Sequence, residues 1–163
     1  MTTSKDNEVH IAHLFDAPRE LVFEAWTNPE HLAAWYAPDN CTARIKHMDV
    51  RVGGSFLVCI NHPVAGDCWA KGVYLEIAAP SRLVFTLSLA DEHGNIVDGQ
   101  PGTPHANWPR DTTVTLSFED RGSKTMLLLH QTVSEALAKQ TGAHPGWIQM
   151  LHKLNNLLVN AHS

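Results

Sequence analysis

The chain has 163 residues, of which 44% are hydrophobic and 18% are charged, and its formal net charge is −5. The length and composition indicate one globular domain whose core is stable without disulfides or metal ions. The negative net charge argues against a surface that binds nucleic acid or anionic membranes. We also expect no membrane insertion and a cytoplasmic location, because there is no bilayer-length apolar run, no signal-peptide pattern and no C-x-x-C among the three cysteines.

The first elements are a strand and two short helices. Alternating apolar residues from Val9 predict a strand that ends near Phe15. The acidic residue and proline of Asp16-Ala17-Pro18 are typical of a helix start. A second start follows at Thr27, which has capping-box spacing to Glu30. The sequence therefore predicts two short helices after strand one.

From Thr42 the hydrophobic period changes to two, which predicts up to six further strands. The fourth strand is expected to contain a bulge at Gly72. Cys59 and Cys68 flank the hairpin before that strand, where they could face each other as reduced thiols. The apolar residues expected on the strands are Ile45, Met48, Val50, Phe56, Val58, Ile60, Trp69, Val73, Leu75, Ile77, Leu83, Phe85, Leu87, Leu89, Val114, Leu116, Phe118, Leu127 and Leu129.

The segment from Ala90 to Asp111 interrupts the strands. It is rich in glycine and proline, and Trp108 is its one large aromatic residue. Loops of about 20 residues in compact domains tend to be lids or disordered segments. A tryptophan that folds over a cleft would be buried there, so Trp108 is a candidate for a lid residue.

A long amphipathic helix is predicted from Ala143 to Ala161. Gly142 closes off a shorter helix that starts at Ser134. The long helix must be buried against the strands, which predicts an α+β domain with an antiparallel sheet and helices on one side. Its apolar stripe consists of Trp147, Met150, Leu151, Leu154, Leu157, Leu158 and Ala161.

Several short motifs occur in an order that resembles the activator of heat-shock-protein-90 ATPase homologue family. This family belongs to the START-like (SRPBCC) superfamily, together with polyketide cyclases and plant lipid-binding allergens. The resemblance covers residues 9–160. The motifs are Trp35-Tyr36-Ala37-Pro38, Asp49 with Gly53-Gly54-Ser55-Phe56, Gly72-Val73-Tyr74-Leu75-Glu76-Ile77 with Pro80, Arg82-Leu83-Val84-Phe85, His130-Gln131, and Gly146-Trp147 with Leu151 and Leu154.

The resemblance implies a helix-grip fold. In this fold a curved antiparallel sheet of six to seven strands surrounds the long C-terminal helix, often with an apolar cavity between them. Residues 1–8 would be a flexible N-terminus and residues 9–163 a single START-like domain. Tyr36 stands where the family usually has a second tryptophan, a departure that could reshape the cavity mouth.

The cavity of such a fold would be lined by apolar side chains, although each of them could instead simply fill the core. Strand parity places Gln131 inward, where it could orient a ligand or satisfy the backbone, and His130 outward. Glu76 should be solvated, because it alternates with Leu75 and Ile77. The predicted lining residues are Trp35, Phe56, Val58, Trp69, Leu75, Phe85, Leu87, Trp108, Gln131, Trp147, Met150, Leu151 and Leu154.

No motif points to a metal, a nucleotide or a covalent nucleophile. His10 and His13 fall on opposite faces of a strand, and His144 and His152 have no third ligand nearby in sequence. There is no G-x-S-x-G, Walker A or dinucleotide-binding glycine pattern. We therefore expect no cofactor, and the sequence identifies no catalytic residues.

Three functions fit the sequence. The first is binding of a hydrophobic or aromatic small molecule in the cavity. The second is a co-chaperone-type interaction module with a filled core, whose partner would be a chaperone or a second copy of the chain. The third is an acid–base enzyme of the cyclase type that uses an inward Glu or His, with Glu76 and His130 as the residues to test. The first is the leading hypothesis.

Overall fold

The computed structural model describes residues 8–99, 101–102 and 105–162, with side chains as far as residue 160. The predicted flexible segment, residues 1–8, lies outside this range except for Glu8, which begins the first strand. In chain order the elements are β1 Glu8–Phe15, α1 Arg19–Thr27, α2 Pro29–Trp35, β2 Thr42–Met48, β3 Ser55–His62, β4 Gly66–Ala78, β5 Arg82–Ala90, β6 Thr112–Arg121, β7 Lys124–Ser134, α3 Glu135–Thr141 and α4 Ala143–His162.

The seven strands form one antiparallel sheet in the order β1-β7-β6-β5-β4-β3-β2. The sheet is curved around α4, which confirms the predicted α+β helix-grip fold. Side chains from the inner face of the sheet and from α1, α2 and α4 share one core, with Leu116, Leu129, Leu151 and Leu154 almost fully buried at its centre. None of the described helices combines the length and apolarity needed to cross a bilayer.

The two short helices form as predicted, but the cap between them differs. Asn28, not Thr27, is the N-cap of α2, and its side-chain oxygen accepts hydrogen bonds from the backbone N–H groups of Glu30 and His31. Thr27 still belongs to the last turn of α1, where its hydroxyl donates to the carbonyl of Phe23 over 3.0 Å. The prediction of Thr27 as the cap was therefore wrong, because an asparagine stood one residue closer to the helix.

Helix α4 starts immediately after a capped helix. The hydroxyl of Ser134 accepts from the backbone N–H of Leu137, and Gly142 ends α3 with a φ of 88°. A positive φ of this kind is readily adopted only by glycine, which allows the chain to turn straight into α4. The stripe from Trp147 to Leu154 is buried as predicted, whereas Leu157 near the end of the helix is 42% exposed.

The inner face of β4 differs from the prediction. Its register shift lies between Tyr74 and Glu76 and not at Gly72. Tyr74 packs on the rings of Phe56 and Phe85, while Leu75 is 49% exposed. Nearer the start of β4, the inward side chains of Cys68 and Ala70 are small. The largest apolar side chains of this strand therefore did not identify its buried face.

Gly72 has a packing role instead of forming a bulge. A Cβ at this position would come within 2.2 Å of both the ring of Phe56 and the carbonyl oxygen of Thr86. The absent side chain therefore allows the Phe56 ring of β3 to lie directly against the backbone of β4.

Cys59 and Cys68 do not face each other. Cys59 pairs with Trp69 across the β3–β4 ladder, and Cys68 pairs with Ile60. The two cysteines are one ladder step apart, and successive side chains of a strand point to opposite faces. All three cysteines of the chain are free thiols in the structure.

Candidate functional site

A cleft of about 420 Å³ lies between the inner face of the sheet and the first turns of α4. The β3–β4 hairpin, the end of α2 and the described part of the 91–111 segment complete its walls. Its lining is predominantly apolar. The residues around it are Tyr36, Pro38, Cys41, Ile60, His62, Ala65, Gly66, Asp67, Cys68, Ala70, Leu87, Ser88, Leu89, His105, Trp108, Gln131, Thr141, Gly142, Ala143, Gly146, Trp147 and Met150.

A chain of hydrogen bonds crosses one wall of the cleft. The indole N–H of Trp147 donates to Oε1 of Gln131 over 2.9 Å, and Nε2 of Gln131 donates to the hydroxyl of Thr112 over 3.0 Å. The Thr112 hydroxyl donates in turn to the carbonyl of Leu87 over 2.8 Å. Gln131 is 1% exposed, so this chain holds a buried amide at the surface of an otherwise apolar space.

Tyr36 separates the cleft from a second, much smaller cavity. This inner cavity has a volume of about 20 Å³ and is lined by Trp26, Leu32, Tyr36, Phe56, Val58, Tyr74, Leu83 and Phe85. Trp26 is the wall residue whose buried indole N–H has no hydrogen-bond partner among the described residues. Burial raises the pKa of Tyr36, and Tyr74 raises it further, so the Tyr36 phenol is neutral.

Titratable side chains are concentrated around the β3–β4 hairpin and the 91–111 segment. A hydrogen bond from Asn61 is the main reason that the pKa of Asp67 lies below its usual value, so Asp67 is a carboxylate at neutral pH. Burial lowers the pKa of His105, which favours the uncharged imidazole. The His105 ring contacts Trp108 edge-to-face at a centroid distance of 5.7 Å.

The predicted lining residues occupy four different places. Leu87, Trp108, Gln131, Trp147 and Met150 line the cleft, and Phe56, Val58 and Phe85 line the inner cavity. Trp35, Leu151 and Leu154 are buried in the core outside both spaces. Trp69 and Leu75 line neither space.

Trp69 was expected to line the cavity as one of the apolar residues of the fourth strand, with Val73, Leu75 and Ile77, but it lies half-buried beside two basic side chains. Arg44 Cζ and Lys46 Nζ are 5.3 and 5.7 Å from the centroid of its ring. The inward positions of β4 at the cleft are Ala70 and Cys68. Small side chains there leave the volume that the cleft occupies.

Other lining residues were missed by the sequence analysis. Ile60 continues the alternation of Phe56 and Val58, so strand parity alone could have placed it in the lining. Tyr36 was expected only to reshape the cavity mouth, and Gly146 carried no local signal; both line the cleft where the end of α2 packs near α4.

The two residues considered for acid–base chemistry lie away from the cleft. Glu76 is exposed and forms an ion pair with Arg82 over 3.0 Å. Nε2 of His130 donates to Oε1 of Glu8 over 2.8 Å, and the ring stacks on that of His10 at 4.6 Å. Within residues 8–99, 101–102 and 105–162, no three His, Cys, Asp or Glu side chains are grouped to hold a metal ion.

Comparisons with known proteins give a consistent result for the fold. A family model described as "Activator of Hsp90 ATPase homolog 1-like protein" matches residues 16–159. A crystal structure of a Chromobacterium violaceum protein is similar, with 24% identity, a TM-score of 0.75, and coverage of 94% of this chain and 97% of that one. No curated protein matches the sequence.

Two further solved structures are similar to this chain. The AHSA1 protein of Silicibacter pomeroyi is 16% identical with a TM-score of 0.73, and the match covers 95% of this chain and 99% of that one. CalU16 of Micromonospora echinospora is 25% identical with a TM-score of 0.59, and the match covers 91% of this chain and 74% of that one. At these identities the solved structures support the fold and do not identify a ligand.

Proposed function

This chain belongs to the Activator of Hsp90 ATPase homolog 1-like family, and on that premise we propose that it binds a hydrophobic or aromatic small molecule in the cleft between its sheet and α4. The observation that carries the proposal is the cleft of about 420 Å³ beside Trp147. A space of this size falls in the range of small-molecule sites, which are typically concave, mostly apolar and lined by a few placed polar groups.

The lining suits a flat apolar ligand. Ile60 and Leu87 of the sheet face Met150 of α4 across the cleft, and Trp108 and Trp147 supply aromatic surfaces. Each Å² of apolar surface buried there contributes about 25 cal/mol, less the cost of ordering the ligand and the loop. The affinity would thus come from the apolar area that the ligand buries, and the orientation of the ligand would come from the buried side-chain amide of Gln131.

The other two functions receive less support. The hypothesis of a co-chaperone-type interaction module predicts a filled core, whereas this protein has an open cleft beside α4. An acid–base enzyme that uses Glu76 or His130 would need these groups at the cleft, and neither is among its lining residues. The proposal therefore gives the cleft a binding role and assigns no catalytic residue.

The experiment is a titration with N-phenyl-1-naphthylamine, a neutral dye that fluoresces in apolar sites. We expect saturable binding by the wild-type protein and a loss of at least ten-fold in affinity for Ala70→Phe, which fills the cleft. Ala78→Phe, the same change at an exposed position of the same strand, is the matched control. Equal dye binding by both variants, or no saturable binding by the wild type, would refute the proposal.

Native mass spectrometry of freshly purified protein gives an independent measurement. We expect a bound small molecule on the wild-type protein and on Ala78→Phe but not on Ala70→Phe. A ligand that remains on Ala70→Phe would place the binding site elsewhere.

A further inference from the structure

We propose that the ligand of the cleft is an uncharged molecule that presents a hydrogen-bond acceptor, such as a carbonyl oxygen, to the side-chain amide of Gln131. This inference rests on the proposed binding function and adds the chemical class of the ligand. It follows from the orientation of one amide and from the charges around the cleft.

The orientation of the Gln131 amide is determined by its neighbours. The indole N–H of Trp147 can only donate, so the group that faces it must be the oxygen of Gln131. The carbonyl of Leu87 can only accept, so the single proton of the Thr112 hydroxyl is committed to it. Thr112 therefore accepts from Gln131, and the NH₂ group must lie on the Thr112 side.

The NH₂ group has a second proton. One N–H of Gln131 is used by Thr112, and no described side chain or carbonyl accepts the other. Gln131 is almost fully buried and lines the cleft, so the cleft is the space from which an acceptor could approach this donor. A buried donor without an acceptor costs free energy, and a ligand oxygen that accepts from it would remove that cost.

The charges around the cleft disfavour an acidic ligand. No lysine or arginine is among the described residues that line it, and the one carboxylate among them, Asp67, already pairs with Arg44 at 3.9 Å. His105 is held in its uncharged form by burial. A carboxylate beside Gln131 would be buried without a counter-charge, which is far more costly than burying a neutral carbonyl.

Three naphthalenes of similar size test the inference by displacement of N-phenyl-1-naphthylamine. They are 2-acetonaphthone (a neutral acceptor), 2-ethylnaphthalene (no acceptor) and 2-naphthoate (an anion at pH 7.5). We expect Gln131→Met to weaken binding of the ketone by about five-fold, the value of one ordinary hydrogen bond, and to change binding of the hydrocarbon by less than about two-fold. We expect the naphthoate to bind the wild-type protein at least ten-fold more weakly than the ketone.

A second measurement uses only the wild-type protein, so it does not depend on the folding of Gln131→Met. In ¹⁵N–¹H spectra, the ketone should shift one side-chain amide proton of Gln131 downfield, and the hydrocarbon should not. An unshifted Gln131 amide at saturation with the ketone, or naphthoate binding as tight as that of the ketone, would overturn the inference. Both results would leave dye binding in the cleft intact. Absence of dye binding would instead remove the proposed function itself.

Discussion

The indole N–H of Trp147 on α4 lies 2.9 Å from the amide oxygen of Gln131 on β7. This bond joins α4 to β7, the second strand from one edge of the sheet, at the wall of the cleft. Both groups are buried, so the bond fixes the rotation of α4 about its axis in a way that apolar packing alone does not.

Removing the Trp147 donor should therefore destabilise the fold. Trp147→Phe leaves the Gln131 oxygen unpaired and reduces packing, and we expect a loss of about 2 kcal/mol in the free energy of unfolding. The measurement is the urea unfolding midpoint. Trp69→Phe, the same change at a half-exposed site, should cost less than about 1 kcal/mol. Equal losses for the two variants would mean that the Trp147–Gln131 bond adds nothing.

Substitution of Gly72 should destabilise the protein by overpacking. In Gly72→Ala the new methyl group would meet the ring of Phe56 and the carbonyl of Thr86, and the backbone atom cannot rotate away. We expect a loss of about 2 kcal/mol in chemical unfolding.

Gly146→Ala is the control for that variant. Its Cβ would meet only Pro38 Cγ, at 3.5 Å, within helix α4. Because alanine is the better helix former, we expect a gain of about 0.5 kcal/mol. Opposite signs for the two Gly→Ala changes are the expected pattern, and a stable Gly72→Ala protein would contradict the close approach of β3 and β4.

Lys153 should stabilise the link between α4 and the end of α2. Its Nζ donates to the carbonyls of Ala37 and Pro38 over 2.7 and 3.2 Å, and the side chain is half-buried. We expect Lys153→Met to lose about 1–2 kcal/mol in urea unfolding, because two carbonyls lose a charged donor. Lys139→Met on α3 breaks only an exposed pair with Glu135 and should stay within about 0.5 kcal/mol of the wild type.

The stability should fall on mild acidification through His13. Burial lowers the pKa of His13 below its ordinary value of 6.5, and the neighbouring His152 lowers it further. Well above pH 6.5, His13 is neutral in both the folded and the unfolded protein, so it does not change the free energy of unfolding with pH. Below pH 6.5 the unfolded chain takes up the proton first, so stability is lost until the pH reaches the lower pKa of the folded state.

The test compares unfolding midpoints at pH 7.5 and pH 5.5. His13→Gln should lose less stability between these values than the wild type does. His152→Gln removes the repulsion together with an edge-on ring contact at 5.4 Å, and it should change the pH dependence less, since burial is the main cause of the shift. A wild-type protein that becomes more stable at pH 5.5 while His13→Gln does not would show that the sign is wrong.

The sequence predicted the order of strands and helices well because the period of its apolar residues changes cleanly. The stripe from Trp147 to Leu154 and the alternation of Val114, Leu116 and Phe118 both belong to surfaces buried along their whole length. Such patterns need no knowledge of distant contacts.

The site was harder to predict because it depends on where side chains are small. On β4 the inward positions at the cleft are occupied by Cys68 and Ala70, and a search for large apolar residues selects Trp69 instead. Leu75 lies outward because it has the same strand parity as Trp69 and alternates with the inward Tyr74. Sequence patterns predict which apolar side chains are buried in the core. They do not predict a cleft, which forms where small side chains from distant parts of the chain fail to meet.

One ring lies between the cleft and the inner cavity. Tyr36 borders the cleft on one side and the inner cavity beside Trp26 on the other. A smaller side chain at this position would connect the two spaces, and the buried indole N–H of Trp26 would then stand at the far end of a single tunnel. For the proposed ligand, Tyr36 would thus limit the length that fits, and the same ring also packs on Trp26, Trp35 and Trp147.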